Sequence, residues 1–370
     1  MTIVCALTGC EKDTENFEMT NPITFNADAN FKRASTRSSA GIIDGTSFTY
    51  DDFGVYAYMT GKATGYLMTN VECNKKTDGY WYPKTGKYYW PVSDNASGVT
   101  ATFTAFAPYA APASFENDVA TFNLTAGTVS TSGGTECTDY LYAKTTSNPT
   151  NDAVNIHFYH ALAWVQFRAR YDKDNLFVKD GDGVKIKSIK FSSNLTTDGT
   201  IALPTSTTAA FTSSSPAVTA GTTTADLEFG NASLSLTDAY RTLSDALLIP
   251  QNVPTNVTIV YDITINGVTF SDCSVTKMIN DPDNDSNGGP DANTQADPTN
   301  YSTNFVKRFE SGHKYIYNIY VTGSEIHFNV DVNNWATGGE FQIWDKDLTS
   351  YTHSFFGNTS MLTASHSLRA

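Results

Sequence analysis

The sequence predicts an all-β protein organised as β-sandwiches, and three observations carry that prediction. Aromatic residues are abundant (22 Phe, 20 Tyr and 5 Trp) while only 17% of residues are charged. β-Branched and aromatic side chains suit a pleated, half-buried surface. Several stretches alternate strictly between apolar and polar residues, the period of a strand with one buried face. Turn signals separate these stretches at short intervals, which argues for sandwiches rather than βαβ units. A length of 370 residues corresponds to two domains, three at most, by the usual prior of about 150 residues each.

Taken in order, residues 11 to about 40 form a polar leader with one short strand candidate, Ile23-Thr24-Phe25. Phe53 to Ala57 reads as a strand. Tyr80 to Pro83 and Tyr88 to Pro91 flank Lys84-Thr85-Gly86-Lys87 and read as the two arms of a hairpin. Phe103 to Ala107 is a strand ended by Pro108. Val154 to Phe167 is almost wholly apolar or aromatic, and periodicity leaves it open between a buried helix and a strand. Val184 and Ile186 share one phase while Ile189 and Phe191 share the other, so a bulge is expected at Lys187-Ser188. Val257 to Ile265 is the clearest strand. Asn266-Gly267 follows it and calls for a tight hairpin into Val268-Thr269-Phe270, because both turn positions need positive φ. Leu236 to Leu248 is a helix candidate with Thr237 as its N-cap. Tyr315 to Val321 and Ile326 to Val332 are two further strands, linked through Gly323-Ser324. Residues 205–224 and 280–300 are low in complexity and read as exposed loops.

The charge balance excludes several function classes. Asp and Glu number 38 against 24 Lys and Arg, a formal net charge of −14. Nucleic-acid binding leaves a basic footprint, which is lacking here. The longest apolar run, Ile3 to Leu7, is far short of the ~20 residues of a membrane-spanning helix.

Motifs for catalysis are equally sparse. No His-Glu-x-x-His, Gly-x-Ser-x-Gly, Walker loop or Cys-x-x-Cys is present. His157 and His160 are three apart, a spacing that puts them on opposite faces of a strand and reads as two hydrogen-bonded histidines. Asp51-Asp52 and Asp180-x-Asp182 read as turn residues. No enzyme, cofactor or nucleic-acid partner is expected. Asp281, Asp283 and Asp285 alternate like the start of a calcium loop. However, Ser286 and Ala292 stand where that loop wants glycine and glutamate, so the segment is a weak calcium candidate beside the reading of a solvated acidic loop.

The N-terminus carries its own signal. An apolar stretch ending in Leu7-Thr8-Gly9-Cys10 looks like a bacterial lipobox, where the cysteine is acylated after cleavage. Residues 1–9 read as a signal-peptide remnant, since no Lys or Arg precedes Cys10. Glu11 to Glu15 resembles a surface-export tether. Cys73, Cys137 and Cys273 then remain, and three cysteines leave both free thiols and one disulfide open.

Together these segments resemble the fimbrillins, lipoprotein-derived pilus subunits of anaerobic Gram-negative gut and oral bacteria. The resemblance rests on the lipobox at Cys10, Thr36-Arg37, Tyr88-Tyr89-Trp90-Pro91 and Phe103 to Pro108. It continues through Phe158 to Ala163, Leu248-Ile249-Pro250-Gln251, Gly312 to Asn318 and Val330 to Trp335. These eight motifs stand in order between residue 7 and about residue 344.

The resemblance implies two transthyretin-like antiparallel β-sandwich domains, at 38–152 and 153–344. It also implies a lipidated leader, 10–37, whose first strand is removable. Ile23 and Phe25 lie on that strand, and a trypsin-like protease would cut after Arg37, with Arg33 next. A strand from another subunit then fills the vacated groove, satisfying its backbone and its apolar slot together. The implied partners are other fimbrial subunits, the maturation protease and the outer membrane through the lipid anchor, at the cell surface. Residues 345–370 extend beyond the family's usual end near Trp344 and read as a tail or a donor strand. The alternative is a standalone surface lipoprotein that binds glycans through exposed aromatics, including Trp81 and Trp90.

Overall fold

The computed structural model describes residues 21–29, 48, 50–61, 64–91, 98–129, 137–171, 183–211, 216–230, 234–279, 306–321 and 326–334. Cys10, Arg33, Arg37, Asp180, Asp182, Asp281, Asp283, Asp285, the Gly323-Ser324 link and the tail 345–370 lie outside the described residues.

All regular elements among the described residues are strands. The first are β1 (Phe25–Ala29), β2 (Asp52–Thr60), β3 (Gly65–Lys75), β4 (Trp81–Pro83), β5 (Thr100–Ala107), β6 (Ser114–Glu116), β7 (Val119–Thr125) and β8 (Gly127–Val129). There follow β9 (Leu141–Ser147), β10 (Val154–His160), β11 (Ala163–Tyr171), β12 (Gly183–Phe191), β13 (Leu195–Thr196), β14 (Asp198–Pro204), β15 (Val218–Ala220) and β16 (Thr224–Ala225). The last are β17 (Glu228–Phe229), β18 (Arg241–Leu248), β19 (Gln251–Asn252), β20 (Asn256–Ile265), β21 (Val268–Met278), β22 (Arg308–Phe309), β23 (His313–Val321) and β24 (Ile326–Asn334).

The first half of the chain closes a barrel in the order β1-β10-β9-β5-β2-β3-β4. Rings from Phe25, Phe53, Phe103 and Phe158 fill its interior. A second sheet, β15-β14-β7-β6, covers the barrel's outer face. Phe106 there stacks on Phe122 with ring centroids 4.0 Å apart. β5 is therefore buried on both faces, which is why it reads as a continuous apolar run. Lys144 of β9 crosses the same seam. Its Nζ donates to Pro204 O (2.5 Å) and Thr207 Oγ1 (2.9 Å) and sits 4.7 Å over the Phe211 ring. Burial pushes its amine down to about 8.

The second core lies between the sheets β24-β23-β11-β18-β8 and β17-β12-β20-β21. Phe167, Phe191, Phe229, Phe309, Tyr315 and Tyr317 dominate it. The two cores interleave in sequence: Ala163 and Val165 face the second, while Trp164, Ile201, Leu203, Leu247 and Ile249 face the first. The halves also trade strands: β8 joins the second half's sheet, and β14 with β15 joins β7.

Several expectations are met. The bulge falls between Ile186 and Ser188. Asn266 and Gly267 have φ of 54° and 78°. Val154 to Phe167 becomes two strands, β10 and the start of β11, turning at Ala161-Leu162. Others are overturned. The helix expected over Leu236 to Leu248 is instead strand β18. It lies between β11 and β8 with Leu243 to Leu248 buried on both faces, Ser244 and Asp245 included, so its residue types lose the alternation that marks a strand. Thr237 does not cap a helix; its Oγ1 accepts from the Ala239 N–H at 3.3 Å in a local turn. The hairpin expected around Gly86 does not form. β4 pairs with β3 and β1, while Tyr88 and Trp90 hydrogen-bond to the leader. Nor is 205–224 simply an exposed loop: Thr205, Phe211 and Val218 are buried, and β15 lies within it.

Candidate functional site

The site is the slot that holds the leader. Residues 23–29 alternate apolar and polar, so one face of the strand is apolar throughout. Ile23, Phe25, Ala27 and Ala29 point inward and are buried. Phe25 meets Phe53 and Phe103 edge-on, at 5.9 and 5.6 Å. Burying Ile23 and Phe25 stabilises the seated leader by roughly 1.5–3 kcal/mol each.

The backbone is held on both edges. β1 runs parallel to β10 over five pairs, from Phe25↔Val154 to Ala29↔Phe158. On the other side Phe25 pairs with Trp81 of β4. The Ile23 N–H donates to Tyr88 O at 2.8 Å, and the Trp90 N–H to Asn21 O at 3.1 Å. The Val154 N–H donates to Thr24 O at 2.8 Å. On the solvent face, Asn26 Nδ2 donates to Asn155 Oδ1 at 3.0 Å, and Asp28 Oδ1 lies 2.5 Å from His157 Nδ1. Such exposed pairs contribute at most about 1 kcal/mol. Apolar burial and ladder bonds therefore hold the leader, and charge contributes little.

The slot is lined by rings brought in from distant parts of the chain. Phe48 stacks on Phe158 with centroids 4.6 Å apart, and lies 5.5 Å from Trp81 and 6.0 Å from Phe53. Trp90 meets Phe103 at 5.8 Å. The indole N–H groups of Trp81 and Trp90 are buried with no partner. Phe48 escaped the sequence reading because it stands alone in a polar stretch without periodicity.

The remaining singled-out residues are structural. His157 is exposed and His160 is buried, on opposite faces of β10. His160 Nδ1 lies 2.8 Å from Asp139 Oδ1, and Tyr50 donates its hydroxyl to Asp139 O at 2.7 Å. Burial, reinforced by the Asp139 charge, pushes the Tyr50 hydroxyl far above its ordinary range. Asp52 Oδ1 accepts the Tyr109 N–H at 3.0 Å. Cys73, Cys137 and Cys273 are free thiols, which resolves the alternative left open for them. Burial pushes the Cys73 thiol well up. Trp81 and Trp90 are 2% and 4% exposed, so neither offers a face to a sugar and the glycan alternative loses both.

Residues 6–335 match the family described as fimbrillin-like. This chain belongs to the fimbrillin-like family. No curated protein matches it. Among solved structures it is similar to a candidate cell adhesion protein of Bacteroides uniformis. That match has 18% identity, 85% of this chain and 98% of the other covered, and a TM-score of 0.49. A fimbrial protein of Bacteroides vulgatus matches at 15% identity, covering 85% and 100%, with a TM-score of 0.48. Membership of the fimbrillin-like family supports a structural or adhesive role at the cell surface.

Proposed function

We propose that this fimbrillin-like chain is a non-enzymatic subunit of a cell-surface adhesive fimbria, matured by removal of its leader. In this reading Cys10 carries the lipid anchor to the outer membrane. A trypsin-like protease cuts after Arg37, or secondarily Arg33, and β1 leaves with the leader. A strand from another subunit takes its place. The two halves act as transthyretin-like units, divided near residue 152 in sequence, and residues 345–370 supply a donor strand. The acidic run at Asp281, Asp283 and Asp285 takes calcium at most weakly.

One observation carries the proposal. β1 closes the barrel, yet it is a short strand from the far N-terminal leader. Its departure leaves an apolar slot beside two unpaired strand edges, a combination that an incoming strand satisfies in one step. The test is to treat purified chain with a trypsin-like protease and follow polymer ladders on a mildly denaturing gel. Wild type is expected to form ladders and Arg37→Ala to stay monomeric. Ladders from Arg37→Ala at the wild-type rate would refute the assignment of the cut.

A further inference from the structure

Away from the leader slot, the outer face of the barrel carries a ledge of aromatic rings. On β2, Gly54, Tyr56 and Tyr58 alternate with Phe53, Val55 and Ala57 and so point away from the interior. Phe115 of β6 stacks on Tyr56 with centroids 5.2 Å apart and meets Tyr66 edge-on at 5.7 Å. Tyr109 lies beside Gly54, where any side chain would press on its ring and collide with Asn70 Oδ1. Phe115 and Tyr109 are 37% and 38% exposed, so the ledge offers ring surface to solvent.

Unmet polar atoms collect under this ledge. Between the pairs Val55↔Val71 and Ala57↔Met68, β3 bulges opposite Tyr56, and Asn70 takes a φ of 46°. Asn70 Nδ2 donates to Ala110 O at 2.9 Å, but its Oδ1 is buried with no partner among the described residues. The Tyr56 hydroxyl is buried and equally unmet. Burial, then the neighbouring Tyr66 and Tyr109 hydroxyls, push it up to about 12, so it stays neutral and both gives and accepts hydrogen bonds. Buried polar groups left in this state are rare, and a ligand is one way to satisfy them. Phe115 covers them from β6, three exposed residues paired to β7 alone. A strand so lightly held lifts at little cost.

We propose that this ledge binds a neutral saccharide. The C–H face of a pyranose packs on Phe115 and Tyr109, and as β6 lifts the sugar hydroxyls reach Tyr56 Oη and Asn70 Oδ1. Asp52 accepts from the Tyr109 N–H, Asp118 accepts from the Tyr66 hydroxyl, and Glu116 follows Phe115, so the border is acidic. Lys84, close to Asp52 and Tyr109, is paired with Glu72 at 2.8 Å. An anionic sugar is therefore repelled. The inference rests on the proposed adhesive role and gives it a ligand class.

The test is binding of the purified, uncleaved chain to an array of neutral oligosaccharides ending in glucose, galactose, mannose, fucose or N-acetylhexosamine. Sulfated and sialylated forms and proline-rich peptides are printed beside them. Binding to a neutral oligosaccharide is expected, weakened about tenfold in Phe115→Ala and in Tyr56→Phe. Tyr80→Ala, at an exposed tyrosine outside the ledge, should leave binding unchanged. Tyr56→Phe keeps the ring and removes only the unmet hydroxyl, so stability in urea should not fall while binding does. No binding to any neutral sugar, wild-type binding by Tyr56→Phe, or a preference for the acidic forms or the peptides overturns the site. Ladders without saccharide binding overturn the ledge and leave the subunit reading standing. Saccharide binding without ladders supports the ledge and removes the subunit reading.

Discussion

The two cores differ in how they are closed. The second is sealed by its own late strands: β23 runs parallel to β11 over eight pairs and antiparallel to β24 over nine. The first is sealed by β1, five residues long and joined to β4 by one pair. Both interiors are crowded with aromatic rings, so packing quality does not distinguish them. The difference lies in the length and origin of the closing strand. A strand with few ladder bonds, drawn from one end of the chain, can leave without unravelling its neighbours.

The largest expected effect is in the second core. Phe167→Ala removes a ring packed on Phe191, Phe229 and Tyr317, and is expected to cost about 3–5 kcal/mol in urea unfolding. Phe25→Ala should cost less, no more than about 3 kcal/mol, because the loss is capped by the free energy that seats β1. Hydrogen exchange at Val154 to His160 should rise sharply in Phe25→Ala and stay at the wild-type level in Phe167→Ala under native conditions. Equal exchange in both variants would remove the distinction between the two closures.

The smallest effect concerns the seam between the barrel and its covering sheet. Lys144 is buried with a carbonyl, a hydroxyl and a ring for company, and burial depresses its amine from the usual 10.5 to about 8. The folded chain therefore gives up this proton earlier than the unfolded one as pH rises. Stability should climb between pH 8 and about 10.5, with the penalty for the buried charge complete below 8. Lys144→Met should flatten that climb and raise stability at pH 7 by about 1 kcal/mol, less whatever Pro204 O and Thr207 lose in hydrogen bonding. Denaturation at several pH values checks both statements.

Much of the fold is legible where alternation is clean. β20, the Asn266-Gly267 turn and β23 follow directly from period-two patterning and turn chemistry. β18 was illegible because a strand covered on both faces loses its alternation. Tyr88 to Pro91 was misread for a different reason: its hydrogen-bonding partner is the leader, not the neighbouring Tyr80 to Pro83. No local pattern records which distant strand a segment will meet. At the candidate site, Ile23 and Phe25 are visible from their own alternation and Phe158 from the apolar run Val154 to Phe167, while Phe48 is not.

The sequence alone determined that the chain is all-β, acidic and fimbrillin-like, because those properties reside in composition, in local periodicity and in motifs carried in order. The tertiary structure decided that the leader strand closes the first core, with Phe25 set among rings and Ala27 and Ala29 buried beyond it. It also decided that each half lends strands to the other. Those facts depend on contacts between residues far apart in the chain, and only the folded packing chooses those partners.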